Sequence, residues 1–326
     1  SVSHVVTRPG RTPSDAPVEI PVADELATEP GVPMRPVDVS FYSREQPLES
    51  QTIEKSADRE WAWTVYSDEF SKYRKGHNSR MKPLVEAAVV SGDIEPNNPP
   101  AKGDVTEAIR NMAREMGFGE VGFTLFDRKY VFASKKSWVK FEHAICLAYE
   151  QDYESTQSLP SMAAEHAHYG TYEVETALAL ELAAFINILG YRAQVHAPTD
   201  NSCVYIPMFV AAGLGQLGAN GQLLSPHFGS RARLIIISTD ALVTHDQPVD
   251  YGIHSFCDTC QVCVNRCPGR ALEKEKVVYR GVEKNKLVYD RCRPIMLKYD
   301  GCGVCMKVCP VQRYGMKPVM EHYVET

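Results

Sequence analysis

The sequence lacks a long hydrophobic run, an excess of basic residues and any low-complexity tract. No apolar stretch reaches the roughly 18 residues of a membrane-spanning helix, since the longest candidate, residues 177–189, contains Glu181 and Asn187. The formal net charge of -6 argues against a general nucleic-acid binder. No charged segment followed by an apolar stretch opens the chain, so no signal peptide is visible. The composition, 44% hydrophobic and 23% charged, is that of a globular protein.

Prolines and cysteines divide the chain into three regions. Residues 1–100 are predicted to be an extended, Pro-rich segment that partly wraps the core, because eight of the 21 prolines fall in residues 1–55. A disordered arm is the alternative for residues 1–55, which carry nine acidic against five basic side chains. Residues 101–250 are expected to form the core, and residues 251–326 a cysteine-rich domain with a short tail.

Hydrophobic periodicity in the middle of the chain predicts a core of helices and strands, either α/β or α+β. One helix is expected to begin after the potential cap Asp104 and to end at Gly117. A second is expected over residues 171–189, with Val174 in its apolar stripe and Gly190 at its end. Four apolar segments are typical of strands: residues 120–126, 143–149, 191–196 and 233–238.

The cysteines are the most informative feature, because eight of the ten lie in residues 257–309. Such density in a chain of this size indicates metal ligation. Two motifs follow each other, C-x-x-C-x-x-C-x-x-x-C-P at residues 257–268 and C-x-x-C-x-x-x-C-P at residues 302–310. The first is the run of bacterial ferredoxins, in which the fourth cysteine serves a second cluster. The second motif has Tyr299 where its first ligand is expected, so Cys292 is the predicted substitute.

Two [4Fe-4S] clusters with exchanged fourth ligands are therefore predicted. Cluster 1 is assigned the thiolates of Cys257, Cys260, Cys263 and Cys309. Cluster 2 is assigned those of Cys267, Cys292, Cys302 and Cys305. A pair of structural zinc sites is the alternative; three cysteines at two-residue gaps and the Cys-Pro endings count against it. Cys146 and Cys203 are predicted to be inert buried residues.

A glycine motif, G-x-G-x-x-G, occupies residues 213–218. A dinucleotide-binding fold needs a helix that opens within such a motif. The residues that follow include two more glycines and a proline, which make a poor helix. The motif is therefore interpreted as a loop that brings backbone close to a large flat or anionic ligand.

These stretches resemble the core signature of the cobalamin-dependent reductive dehalogenases, in a short form without a visible twin-arginine signal. The similar segments are GLGQLGANG at 213–221, SPHFG at 225–229, RARL at 231–234 and STD at 238–240. Residues 247–252, which lead into the first cysteine, and residues 182–191 are also similar. The resemblance covers residues 165–312.

The resemblance implies an α+β, nitroreductase-like corrinoid-binding core beside a bacterial-ferredoxin-like two-cluster module. It implies cobalamin as cofactor. No histidine of this chain lies in an Asp-x-His-x-x-Gly context, which favours a corrinoid without a histidine lower ligand. The residues implied to contact the cofactor are Gly213, Gly215, Gly218, Asn220, Ser225 and His227.

The resemblance also implies a proton donor, Tyr172, and a partner arginine, Arg233. A tyrosine with an ordinary pKa near ~10 keeps its proton until it is needed. A neighbouring guanidinium stabilises the tyrosinate that is left. The implied reaction replaces a carbon–halogen bond of a small organohalide by carbon–hydrogen.

Two other functions stay open, an epoxyqueuosine reductase-like enzyme with the same cofactors and a non-catalytic iron–sulfur electron-transfer subunit. No nucleic-acid partner is expected, because the net charge is negative. The expected electron donor is a soluble protein such as ferredoxin or flavodoxin, or a membrane anchor subunit if the enzyme is respiratory. A cytoplasmic location is expected, with export and membrane association after signal removal as the alternative.

Overall fold

An antiparallel four-stranded sheet forms the centre of the fold in the computed structural model, which describes residues 66–132, 135–198, 200, 202–279 and 282–325. The strands are β1 (Glu120–Leu125), β2 (His143–Glu150), β3 (Ala193–His196) and β6 (Ala232–Thr239). Their order in the sheet is β1-β2-β6-β3. All four agree with the predicted segments to within two residues at each end, and residues 1–55 lie outside the described residues.

Both faces of this sheet are covered, which explains why its central strands read as nearly continuous apolar runs. In β2, Ile145 and Leu147 belong to one buried cluster, whereas Ala144 and Cys146 belong to the cluster on the opposite face. The neighbouring strand is in register, with Leu147 opposite Ile235. The α+β class expected for the core is thereby confirmed.

Three helices cover one face of the sheet: α1 (Asp68–Ser91), α2 (Thr106–Glu115) and α4 (Met162–Ile188). Helix α4 begins nine residues before its predicted start, because the Ser161 hydroxyl accepts the Ala164 amide as an N-terminal cap. Its buried stripe runs through Ala179, Leu182 and Ile186. Val174, expected in that stripe, is 43% exposed, so this part of the prediction is wrong.

Helix α1 departs from the extended conformation expected for residues 1–100. Ser67 caps it by accepting the Phe70 amide. Phe70, Met81 and Ala88 are buried along it. The sequence pattern does not predict this helix, because Pro83 lies inside it and its buried residues are widely spaced.

The opposite face of the sheet carries α5 (Ile206–Ala211) and a two-stranded hairpin, β4 (Gln216–Leu217) and β5 (Leu223–Leu224). The glycine motif of residues 213–218 joins α5 to this hairpin. The structure describes all of these residues, and a hairpin rather than a helix follows Gly215. A short helix α3 (Tyr153–Gln157) follows β2.

A helical module with one hairpin follows the core. Its helices are α6 (Ile253–Cys260), α7 (Val262–Asn265), α8 (Tyr289–Lys298), α9 (Val304–Lys307), α10 (Pro310–Tyr314) and α11 (Met316–Glu325). Its hairpin pairs β7 (Leu272–Tyr279) with β8 (Val282–Leu287). None of the helices in the described residues is long and apolar enough to cross a membrane.

A buried arginine joins the module to the sheet. Arg231, which has no exposed surface, donates from Nη2 to Glu150 Oε1 at 2.7 Å and from Nη1 to the Gln312 carbonyl at 2.7 Å. Gly229 packs beside it, where a Cβ atom would lie 2.5 Å from Gln312 Cα. The end of β2, the start of β6 and α10 are therefore held in one arrangement.

Substitution of Gly119 by alanine should destabilise the core. An added Cβ would lie 2.1 Å from Cζ of the fully buried Phe228, so the ring has to move. Overpacking of this kind costs about 1–3 kcal/mol of unfolding free energy. Thermal denaturation of Gly119→Ala measures it.

The matched control is Gly170→Ala in the middle of α4, where an added Cβ meets nothing within 4 Å. This variant should be stabilised by up to about 1 kcal/mol through helix propensity. Equal stability of the two variants would show that the contact between Gly119 and Phe228 is not tight.

Candidate functional site

The eight cysteines of the two motifs line two cavities. Cys257, Cys260, Cys263 and Cys309 line a cavity of about 20 Å³ together with Asn220 and Phe256. Cys267, Cys292, Cys302 and Cys305 line a larger cavity of about 560 Å³. This division is the one that the sequence predicts for the two clusters, and the ligand assignment itself stays a prediction.

Local backbone geometry turns these cysteines inward. Helix α6 ends at Cys260, and Gln261 adopts a left-handed conformation with φ 49° before α7 begins. Gly303, with φ 60°, makes a similar break between Cys302 and α9. A side chain at Gly303 would lie 2.6 Å from Leu159 Cδ1, so only glycine fits there.

Burial dominates the electrostatics of the thiols. It raises the pKa of Cys257 and Cys292 to about 11, and that of Cys263 and Cys305 to about 12, with neighbouring thiolates adding to the shift. A thiolate at Cys263 adds to the raised pKa of Cys305, so the two cysteine sets are close enough to interact electrostatically. Protons must therefore leave when a metal binds. Among the residues that the structure describes, no three His, Cys, Asp or Glu side chains converge as ligands of a single ion.

The larger cavity extends from its cysteines to the sheet. Besides the four cysteines, its wall includes Leu159 and Tyr169, and also Asn220 and Arg233. A second cavity of about 380 Å³ adjoins it, because Arg233 and Gln222 line both. The two cavities therefore lie side by side, with residues of α4, β6 and the loop between β4 and β5 in their walls.

Tyr172 and Arg233 line the same smaller cavity, although 61 positions of sequence separate them. Tyr172 lies on α4 with its ring 5.0 Å from that of His168. Arg233 lies on β6, where Nη2 donates to the Ser230 carbonyl at 2.8 Å. Phe132 and Tyr205 provide aromatic walls for this cavity. The structure therefore brings together the residue pair singled out from the sequence, whose roles stay predictions.

Of the six residues expected at the cofactor, Asn220 lines the cavities of both cysteine sets. Gly213 and Gly215 instead approach other backbone, the carbonyls of Gln247 and Leu224. Gly218 fits beside the Leu224 side chain. These three glycines shape the hairpin, and their contact with a cofactor stays a prediction.

Ser225 and His227 hold the loop after the hairpin. The Ser225 hydroxyl accepts the Phe228 amide at 2.9 Å. His227 Nδ1 lies 2.7 Å from Glu120 Oε1, and both side chains are nearly buried. These contacts fix the turn that leads to Arg231, and a direct cofactor contact of either residue stays a prediction.

Sequence reasoning missed two ionisable residues on α4 close to the pair. His168 lines the larger cavity, and burial lowers its pKa. Its Nδ1 lies 3.3 Å from Glu165 Oε2. Glu175 has no exposed surface, and neither of its oxygens has a hydrogen-bond partner among the described residues. Burial raises its pKa well above the usual value, and the charge of Arg233 opposes that shift. Their spacing from Tyr172, four residues before and three after, is the sequence signal that could have found them.

Glu175 makes the stability of the protein depend on pH. Because its pKa is raised in the folded state, the folded protein keeps a proton that the unfolded chain loses above about pH 4.3. Stability from this group therefore falls as pH rises. Glu175→Gln removes this titration. Between pH 5.5 and pH 8, the melting temperature of the wild type should therefore fall relative to that of the variant.

Glu181→Gln, at an exposed position of the same helix, is the control and should track the wild type at both pH values. If Glu175→Gln also keeps the wild-type pH dependence, Glu175 is ionised in the folded protein.

Comparison with known proteins finds relatives of the cysteine-rich module and of the core. The 4Fe-4S dicluster domain family matches residues 256–317. Tetrachloroethene reductive dehalogenase of Desulfitobacterium hafniense is 34% identical over 160 residues, which are 49% of this chain and 27% of that protein. Epoxyqueuosine reductase of Lactococcus garvieae is 42% identical over 69 residues, 21% of this chain and 18% of that protein.

A solved reductive dehalogenase, described with a mechanism for B12-dependent dehalogenation, superposes with a TM-score of 0.69. The superposition covers 98% of this chain and 46% of that one at 21% identity, which establishes the shared fold. The chain spans about a quarter of the curated relative and about half of the solved one. It is therefore related in sequence to the reductive dehalogenases along 49% of its length and shares their fold, which confirms the resemblance shown by the motifs.

Proposed function

We propose that this chain is the catalytic part of a reductive dehalogenase that replaces a carbon–halogen bond of a small organohalide by carbon–hydrogen. The observation that carries the proposal is a pair of adjoining cavities. The larger is lined by one cysteine set and by a polar section made of Asn220, Gln222 and Arg233, and the smaller by the pair Tyr172–Arg233. The reaction needs two electrons and one proton, and it releases halide. In this proposal, the cysteine sets deliver the electrons and the pair Tyr172–Arg233 delivers the proton.

The polar section has the chemistry to hold a corrinoid, whose rim carries amide groups that both donate and accept hydrogen bonds. Asn220 Nδ2, Gln222 Oε1 and Arg233 Nε are buried and have no hydrogen-bond partner among the described residues. All three side chains line the larger cavity. Unpaired buried polar atoms are costly, so they indicate a polar ligand. Bound there, cobalamin would supply a strongly reducing cobalt next to the cysteine sets.

Tyr172 supplies the proton in this proposal. Its hydroxyl proton passes to the carbon that loses halide, and a tyrosinate remains. The Arg233 guanidinium cannot lose its own proton and stabilises the tyrosinate electrostatically. Phe132 and Tyr205 give the cavity aromatic walls, and an apolar surrounding strengthens this attraction.

The iron–sulfur chemistry rests on the two cysteine sets, proposed as cluster 1 and cluster 2 with the ligands assigned from the sequence. We further propose that the corrinoid lacks a histidine lower ligand. The electron donor is proposed to be a soluble ferredoxin or flavodoxin in the cytoplasm, with a membrane anchor subunit as the alternative. An electron-transfer subunit would have no use for the pair Tyr172–Arg233.

Tyr172→Phe tests the proton donor. The variant should keep its iron and cobalt but lose turnover by about 10²–10⁴-fold, since a positioned general acid contributes that much. Turnover with a reduced, corrinoid-loaded protein and a panel of halophenols and haloalkanes measures it. Tyr149→Phe, whose ring packs edge-on against Phe118 in the core, is the control and should react like the wild type. Wild-type turnover by Tyr172→Phe would exclude this residue as the donor.

Cys292→Ala tests whether Cys292 is the cluster 2 ligand that replaces a cysteine at position 299, where this chain has Tyr299. Loss of one ligand should lower the iron content from about eight to about four atoms per chain. Cys146→Ala, which changes a cysteine fully buried in the sheet, should keep the wild-type iron content. Retention of all the iron by Cys292→Ala would mean that another residue completes cluster 2.

A further inference from the structure

The charge of the protein is distributed unevenly. Residues 251–326 carry 13 Lys and Arg against eight Asp and Glu, a net charge of +5. Residues 1–250 carry 22 against 33, a net charge of -11. The cysteine-rich module is therefore a basic part of an acidic chain, a contrast that the overall charge conceals.

Three arginines concentrate this charge next to the second cysteine set. Arg266 and Arg291 directly precede Cys267 and Cys292 in the sequence, and Arg270 follows Cys267 by three residues. We call Arg266, Arg270 and Arg291 the arginine rim.

Contacts in the structure bring two of the three rim arginines together. Arg291 Nη1 donates to the Arg270 carbonyl at 3.2 Å, and a Cβ at Gly269 would lie 2.5 Å from the Arg291 carbonyl oxygen. The loop after Cys267 is thus packed on the first turn of α8, which carries Cys292. Arg270 and Arg291 are therefore neighbours close to Cys267 and Cys292, two of the cysteines that line the larger cavity.

The rim faces solvent and is only partly neutralised. All three arginines are exposed. Arg291 pairs with Glu273 at 3.1 Å, whereas Arg266 and Arg270 have no carboxylate partner among the residues that the structure describes. Pro268 between them is exposed as well, so the surface above Cys267 is accessible.

We propose that the arginine rim is the docking surface for an acidic one-electron carrier protein, and that electrons enter the chain there, at the second cysteine set. The proposal rests on the proposed function only in that the cysteines hold iron–sulfur clusters. Guanidinium groups pair well with carboxylates, and complementary charge raises association rates more than it raises affinity. A transient, small interface of this kind suits a carrier that must leave after each electron.

The arginines could instead serve only to balance the negative charge of the clusters. In that case, their removal would lower the reduction potential and slow every reductant alike. Docking predicts a different pattern, because it affects only a charged protein donor and only at low ionic strength. A comparison of two reductants separates the two explanations.

The experiment is stopped-flow reduction of the clusters in the anaerobically reconstituted full chain, without organohalide. The donors are an acidic flavodoxin in its fully reduced state, followed by its flavin absorbance, and photoreduced deazariboflavin, a small uncharged reductant. With flavodoxin, the second-order rate constant of the wild type should fall about tenfold or more between about 0.05 and 0.5 M salt. The double variant Arg266→Glu/Arg270→Glu should be slower by about tenfold at low salt and insensitive to salt.

The control is Lys102→Glu/Arg114→Glu, which makes the same charge change at exposed positions before and within α2. It should keep most of the wild-type rate and its salt dependence. Arg266→Gln/Arg270→Gln should give an intermediate rate, and all variants should hold wild-type iron. Deazariboflavin should reduce all of them equally.

The proposal is overturned if the rim variants react with flavodoxin like the α2 control, or if they are slowed equally with both reductants. Since no step of the measurement requires a corrinoid or a halide, a negative result bears on the docking surface alone. Failure of dehalogenation with intact cluster reduction would contradict the proposed function and leave the docking surface standing.

Discussion

The buried guanidinium of Arg231 is the interaction on which the arrangement of the site depends. It bridges Glu150, at the end of β2, and the Gln312 carbonyl in α10, and no part of it reaches solvent. Removal of one partner would leave the other charge buried without compensation. The unfolding free energy lost in this way far exceeds what the ion pair itself contributes. The contact fixes the direction in which the cysteine module meets the sheet. The larger cavity, with walls from both parts, depends on that arrangement.

Local chemistry made much of the fold predictable from the sequence. Strands β2 and β6 are apolar on both faces, and the cysteine spacing divides into two sets that line separate cavities. The helices were harder. The first turns of α4 contain histidine, tyrosine and glycine rather than an apolar stripe, and α1 is interrupted by Pro83, so periodicity does not mark their beginnings.

The least predictable residues are those whose environment is made by tertiary contacts. Glu175 would be expected on the solvent side of a helix, yet it is fully buried near Arg233. Arg231 stands two residues before Arg233, and nothing in the sequence indicates that one of them bridges two parts of the fold while the other lines a cavity. Family resemblance supplied the pair Tyr172–Arg233, which composition and spacing could not have identified.

In this account, the electrons reach the substrate through the basic cysteine module. The proton comes from Tyr172 in the acidic core. A corrinoid between the module and the core is the central claim, and metal analysis of anaerobically purified protein that was supplied with corrinoid tests it most directly. The account predicts about one cobalt and about eight iron atoms per chain, with corrinoid bands in the visible spectrum. Iron without cobalt would contradict it.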